Sequence, residues 1–139
     1  MRPYEILEHT ADIGIRACGH SREELFTHMA QGMFGLIVPP EQVQQGLAFP
    51  IKATADGWEP LLVAWLKELL FLFDTRHFLG REFQIHRLTS SSIEATAVGE
   101  TLDVKRHEVD KEVKAVTYCD LSIAQGPDGI WRAQVIFDI

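Results

Sequence analysis

The chain has 139 residues, 46% of them apolar and 24% charged, with 20 acidic against 13 basic side chains for a net charge of −7. That length and balance fit one compact domain with a single core, and they exclude a disordered or low-complexity chain. The acidic surplus, with no basic run longer than Lys105-Arg106, argues against a face that neutralises RNA phosphates unaided; no direct nucleic-acid binding is expected, and any link to RNA should run through a protein partner.

The opening Met1-Arg2-Pro3-Tyr4-Glu5 has no apolar leader pattern, and a cytoplasmic setting is expected. Residues Pro3 to His9 and Ile13 to Gly19 are predicted as two strands joined by a polar turn. In the second, Ile13, Ile15 and Ala17 alternate with Gly14, Arg16 and Cys18, the period of a strand with one buried face. Ser21, with Glu24 three residues on, forms a capping box that starts a helix. Its stripe is Leu25, Met29 and Met33 with Phe26, Ala30 and Phe34, and Pro39-Pro40 ends it.

Leu47 to Thr54 is predicted as a strand with Leu47, Phe49, Ile51 and Ala53 on one face. Asp56 then offers a cap for a second helix running to about Asp74. The apolar residues of that helix cover more than half its circumference, so it should be packed on more than one side. Its stretch Leu61 to Phe73 is interrupted by Lys67-Glu68 and is too short for a membrane span, which needs about 20 apolar residues. Phe83 to Leu88 and Ile93 to Val98 read as strands about a Ser-rich turn. Leu102 to Glu112 reads as a charged connecting loop. Val113 to Ala124 and Ile130 to Ile139 read as strands about the turn Gly126-Pro127-Asp128-Gly129. The expected fold class is α+β, a single domain over residues 1–139 with mainly antiparallel sheets packed on two helices.

Three places carry possible chemistry. Glu8, His9 and Asp12 could supply metal ligands, although taken alone the segment reads more readily as a turn, with Asp12 bonding its own backbone and Glu8 and His9 simply exposed. At the other end, Asp138 stands beside the α-carboxylate of Ile139, two anionic oxygen donors suited to a hard cation such as calcium or magnesium; an edge strand that merely stops there has the same pattern. Glu112 and Lys114 share parity and so face the same way, as many solvated surface pairs do. Cys18 and Cys119 lack C-x-x-C spacing and are expected as buried free thiols. Phosphate loops, H-E-x-x-H and G-x-S-x-G are all missing.

Taken together, these segments resemble the archease family. The resemblance is carried by Tyr4 to Ile15 with its His9-Thr10-Ala11-Asp12, by Trp65 to Thr75, by Val113 to Tyr118 and by Val135 to Ile139, in the family's order. It implies a protein that is not itself an enzyme but a cofactor of the GTP-dependent tRNA-splicing RNA ligase, the ligase that joins 2′,3′-cyclic phosphate or 3′-phosphate ends to 5′-hydroxyl ends. The cofactor would promote guanylylation and multiple turnover of that ligase. The resemblance also implies a divalent metal, calcium first and magnesium or manganese next, held by Asp12, Asp138 and Ile139, with Lys114 required for activation of the partner and Glu8 and His9 as neighbours. The family commonly has His where this chain has Cys119; strand alternation turns that position away from Tyr118 and Asp120, so a buried thiol there is compatible with an unchanged site. Two other classes fit the same residues: a small metal-dependent hydrolase acting on nucleotides, and a general chaperone with exposed apolar surface.

Overall fold

The computed structural model describes residues 2–8 and 11–139, without the side chain of Glu8. His9, one of the expected neighbours of the metal site, lies outside the described residues, as does the Glu8 side chain. Strands β1 (Tyr4–Glu8) and β2 (Asp12–Gly19) form an antiparallel hairpin, followed by α1 (Arg22–Ile37) and a short 3-10 turn at Pro40–Gln42. Then come β3 (Leu47–Thr54), α2 (Trp58–Arg76), β4 (Phe78–Leu88), β5 (Ser92–Thr101), β6 (Ala115–Val116), β7 (Ser122–Gln125) and β8 (Trp131–Asp138). Two antiparallel sheets result: β1-β2-β8-β6 with β7 also on β8, and β3-β5-β4. This is the expected α+β fold.

Helix α1 begins as its capping box dictates. The Ser21 hydroxyl accepts the Glu24 N–H at 3.1 Å, and the Glu24 carboxylate accepts the His20 N–H at 3.3 Å. The helix lies against β2 and β4, which belong to different sheets, while α2 packs on β3, β4 and β6. Ile13, Ile15, Val135 and Phe137 from one sheet therefore share one core with Phe78, Leu79, Ala95 and Ala97 from the other. Trp65 of α2 is fully buried and donates its indole N–H to the Phe26 carbonyl at 3.1 Å, tying the helices at the centre. Truncating a side chain of that size in a core costs about 3–5 kcal/mol.

Several boundaries differ from the sequence expectation. Helix α2 is capped by Gly57, not Asp56: Gly57 takes φ 118°, its N–H donates to the Ser90 carbonyl, and Asp56 stays exposed. The positive φ needs glycine, and the hydrogen bond moors the helix start to the β4–β5 turn. At the other end α2 runs on to Arg76 and stops at His77, whose φ of 56° is left-handed. Strand β4 begins at Phe78, five residues before the Phe83 expected, because register shifts at Gly80/Glu82 and Ile85/Arg87 break its alternation. The expected strand from Val113 to Ala124 is two pieces on one edge of β8. Between them the chain turns at Tyr118–Leu121, where Asp120 takes φ 49°. The cysteines are also more accessible than expected: Cys18 is half-buried and Cys119 exposed, since Cys119 sits in that turn and not in a strand.

Leu102 to Glu112 is the expected connecting loop, firmly tied down. Asp110 and Lys111 donate their N–H groups to the Ile37 and Leu36 carbonyls, the unsatisfied acceptors at the end of α1. Among the described residues no helix is long and apolar enough to cross a membrane.

Candidate functional site: the acidic corner of the β2–β8 pair

Strand β8 is central in its sheet, with β2 on one side and β6 and β7 on the other. Its register against β2 is continuous from Gly19↔Trp131 to Asp12↔Asp138. Inward-facing Ile13, Ile15 and Ala17 meet Phe137, Val135 and Ala133, all buried. Burying that apolar set fixes the register, since a one-residue slip would turn every one of them to solvent. Asp12 and Asp138 therefore stand directly opposite each other at the end of the pair, on the outward face. Directly opposed residues of an antiparallel pair hold their Cβ atoms about 4.5–5.5 Å apart.

The chain end is held at the same corner. Ile139 donates its N–H to the Ala11 carbonyl at 3.4 Å, and its side chain packs against the core. Across β8, Ala115 pairs with Asp138, and the Lys114 N–H donates to the Asp138 carbonyl at 2.8 Å. The structure thus brings Asp12, Asp138, Ile139 and Lys114 to one corner, from three segments distant in sequence. Asp12 and Ile139 are half-buried there, and the Asp138 and Lys114 side chains are exposed.

Among the described residues no three His, Cys, Asp or Glu side chains form a metal-holding group. The family resemblance adds the carboxylate of Ile139 to Asp12 and Asp138; three such carboxylates would offer only oxygen donors, the type hard divalent cations take.

Thr117 is a positioning residue that sequence reasoning passed over. Its N–H and hydroxyl both donate to the Ile136 carbonyl, at 3.0 and 2.9 Å, and its oxygen accepts the Cys119 N–H at 3.2 Å. It closes the β6 side of the corner and starts the turn that exposes Tyr118 and Cys119. The only sequence signal for it was its place beside Tyr118 in the strand segment. Next to it Tyr118 is 59% exposed, with the Lys67 ammonium 5.2 Å from its ring centroid.

Residues 4–139 match the model of the Archease protein family (MTH1598/TM1083). The chain belongs to the archease family. It is 41% identical to Protein archease of Methanosarcina barkeri, over 99% of this chain and 97% of that one. Against Protein archease of Pyrococcus abyssi the identity is 39%, with both chains covered in full. The fold is similar to the solution structure of protein 1598 of Methanobacterium thermoautotrophicum, with a TM-score of 0.85 at 34% identity over the whole of both chains. Family membership extends from β1 to the last residue, so all four residues of the corner fall within the matched span.

Proposed function

We propose that this protein is a metal-dependent accessory factor of a GTP-dependent RNA ligase that joins 2′,3′-cyclic phosphate or 3′-phosphate ends to 5′-hydroxyl ends. Membership of the archease family supports a cofactor role in RNA processing in general. The observation that carries the finer reading is the convergence of Asp12, Asp138, Ile139 and Lys114 at one sheet corner. The donor set fits calcium, magnesium or manganese: every donor is an oxygen, and directly opposed carboxylates repel unless a cation lies between them. Asp12, Asp138 and the Ile139 carboxylate would hold that ion, which supplies a fixed positive charge at the surface. Lys114, on the adjoining backbone, adds a second cation on a flexible stem. A surface of this kind meets an acidic or phosphate-bearing site on a partner.

The test is ligase guanylylation with GTP and a divalent metal, with and without this protein. Stimulation is expected from the wild type and should fall to the basal rate in Asp12→Ala and Lys114→Ala. Both residues lie outside the core, so neither truncation should leave the cavity that costs ~2–5 kcal/mol, and the melting temperature should hold. Full stimulation by both variants would remove these residues from the contact, and turnover of a nucleotide by the protein alone would favour a hydrolase.

A further inference from the structure

Asp12 and Asp138 occupy one end of the outward face of the sheet, and a different chemistry occupies the other. Along β2 the outward residues after Asp12 are Gly14, Arg16 and Cys18; along β8 they are Ile136, Gln134 and Arg132. Two cross-strand rows result. In the first, Glu5, Arg16, Gln134 and Ser122 lie side by side across four strands. In the second, Cys18, Arg132 and Ala124 are neighbours. The small residues Cys18, Ser122 and Ala124 leave a hollow between the long ones, and Arg2 lines it beside Cys18. The groove measures about 680 Å³, within the range of small-ligand sites.

Its charge is unusual for a chain of net charge −7. Three arginines, Arg2, Arg16 and Arg132, line it against one acidic residue, Glu5. Arg132 is held by Asp128 through two contacts, at 2.8 and 3.3 Å. Arg16 is different: its Nε donates to the Gln134 side-chain oxygen at 3.0 Å. Although Glu5 is its cross-strand partner, Arg16 forms no ion pair among the described residues, and neither does Arg2. Two arginines in a groove, neither neutralised, are an anion site in waiting; acids elsewhere on the surface are largely screened beyond about 10 Å at moderate salt.

Arg16 lies four strand residues from Asp12, about 13 Å, and Arg132 lies six from Asp138, about 20 Å. Between the two ends Gly14 is buried beneath the Ile136 and Leu7 side chains, which form an apolar bridge across the face. A Cβ there would come within 2.9 Å of Ile136 Cδ1 and 3.3 Å of Leu7 Cβ, so only glycine lets those side chains close over the strand. We propose that this groove binds the phosphates of a single-stranded RNA segment, which runs along the outward face with one end toward the acidic corner. Guanidinium groups pair phosphates through two N–H groups at once and stack on exposed bases, which suits a strand that offers both. An isolated phosphate is too short to use the length of the face. The strand's direction toward the corner rests on the ligase reading above; the groove's affinity for RNA does not. The arginines come from both ends of the chain, which is why no basic run betrays them and why sequence argued against direct RNA contact.

The experiment measures binding of a fluorescent, unstructured RNA oligonucleotide to the full chain by anisotropy, across a salt titration and with GTP as competitor. Wild-type protein should bind at low salt. The double variant Arg2→Gln/Arg16→Gln, which breaks no ion pair, should bind about tenfold more weakly or worse, with the salt slope flattened by about 0.7 for each phosphate no longer neutralised. A charge-matched control, Lys52→Gln/Lys105→Gln, removes two exposed cations remote from the groove and should keep wild-type affinity. No RNA binding by the wild type overturns the proposal, as does equal weakening in both double variants or arginine-dependent binding of GTP without RNA. Stimulation of ligase guanylylation by the wild-type protein, with GTP and metal but no RNA, tests the accessory-factor reading separately, so either can fail alone.

Discussion

Asp12 and Asp138 oppose each other across an antiparallel pair, where like charges cost about 0.2–1 kcal/mol. That repulsion gives the metal reading a signature opposite in sign to a structural role. Asp12→Asn keeps the size and hydrogen-bonding capacity of the side chain but removes one charge. Without metal, the variant should melt about 1–4 °C higher than wild type; with calcium, it should gain little where wild type gains much. A calorimetric scan of both proteins with chelator and with calcium decides it, and a lower melting point for Asp12→Asn in chelator would mean that the Asp12 charge stabilises the metal-free fold and is not in repulsion with Asp138. At this scale the candidate site was half legible in the sequence. Asp12 and Asp138 stood out as carboxylates next to strand patterns, but their opposition depends on a register between distant segments, and family likeness was what joined them. Thr117 was invisible because its role is a backbone carbonyl it meets only once β6 and β8 pair.

Among the elements, the loop after β5 is the one whose stability depends most openly on ionisation. Glu100, near the end of β5, gathers the Arg106 guanidinium, the Gln44 N–H and the Nε2 of His107. The Asp103 N–H donates to His107 Nδ1 at 2.8 Å, which leaves Nε2–H to donate to Glu100. Burial acts to raise the Glu100 carboxyl, but the hydrogen bonds from Arg106, Gln44 and His107 outweigh it and hold it at about 2 against an ordinary 4.5. A carboxyl lowered by folding stabilises the fold fully above its ordinary value and loses that contribution as pH falls towards 2. Melting temperature should therefore drop between about pH 4.5 and 2, and Glu100→Gln should start lower at neutral pH and drop less across that window. Parallel curves for the two proteins would show that the cluster adds nothing. The sequence read this segment only as charged and irregular, because no periodicity reports a cluster of Glu100, Gln44 and His107. The capping box of α1 was legible, since Ser21 and Glu24 meet within one turn. The bulges in β4 were not, because an inserted residue erases the alternation that marks a strand.

At the scale of the molecule, the first hairpin and the last strand belong to one sheet, and the acidic corner is where the chain's two ends are joined. Backbone pairing already links them, through the β2–β8 register from Asp12↔Asp138 to Gly19↔Trp131 and the bond from Ile139 to Ala11. A cation shared by Asp12, Asp138 and the Ile139 carboxylate would add a bond that exists only in the folded state, because the ligands lie on segments far apart in an unfolded chain. Anything that binds only the native form stabilises it by mass action, about 2.7 kcal/mol when the ion is at 100 times its dissociation constant. For a domain of this size that is a rise of roughly 5–15 °C in melting temperature. The gain should be largest for the ion of best fit among calcium, magnesium and manganese, and it should vanish in Asp138→Asn. Appending one glycine after Ile139 turns its carboxylate into a neutral amide, so the gain should shrink without loss of the metal-free fold. Hydrogen exchange locates the effect: the amides of Lys114 and Ile139 should exchange more slowly with metal, while those of the β3-β5-β4 sheet should change only as far as global stability carries them. A rise in melting temperature shared equally by wild type, Asp138→Asn and the extended chain would place the ion elsewhere on this acidic surface and dissolve the link between the two ends.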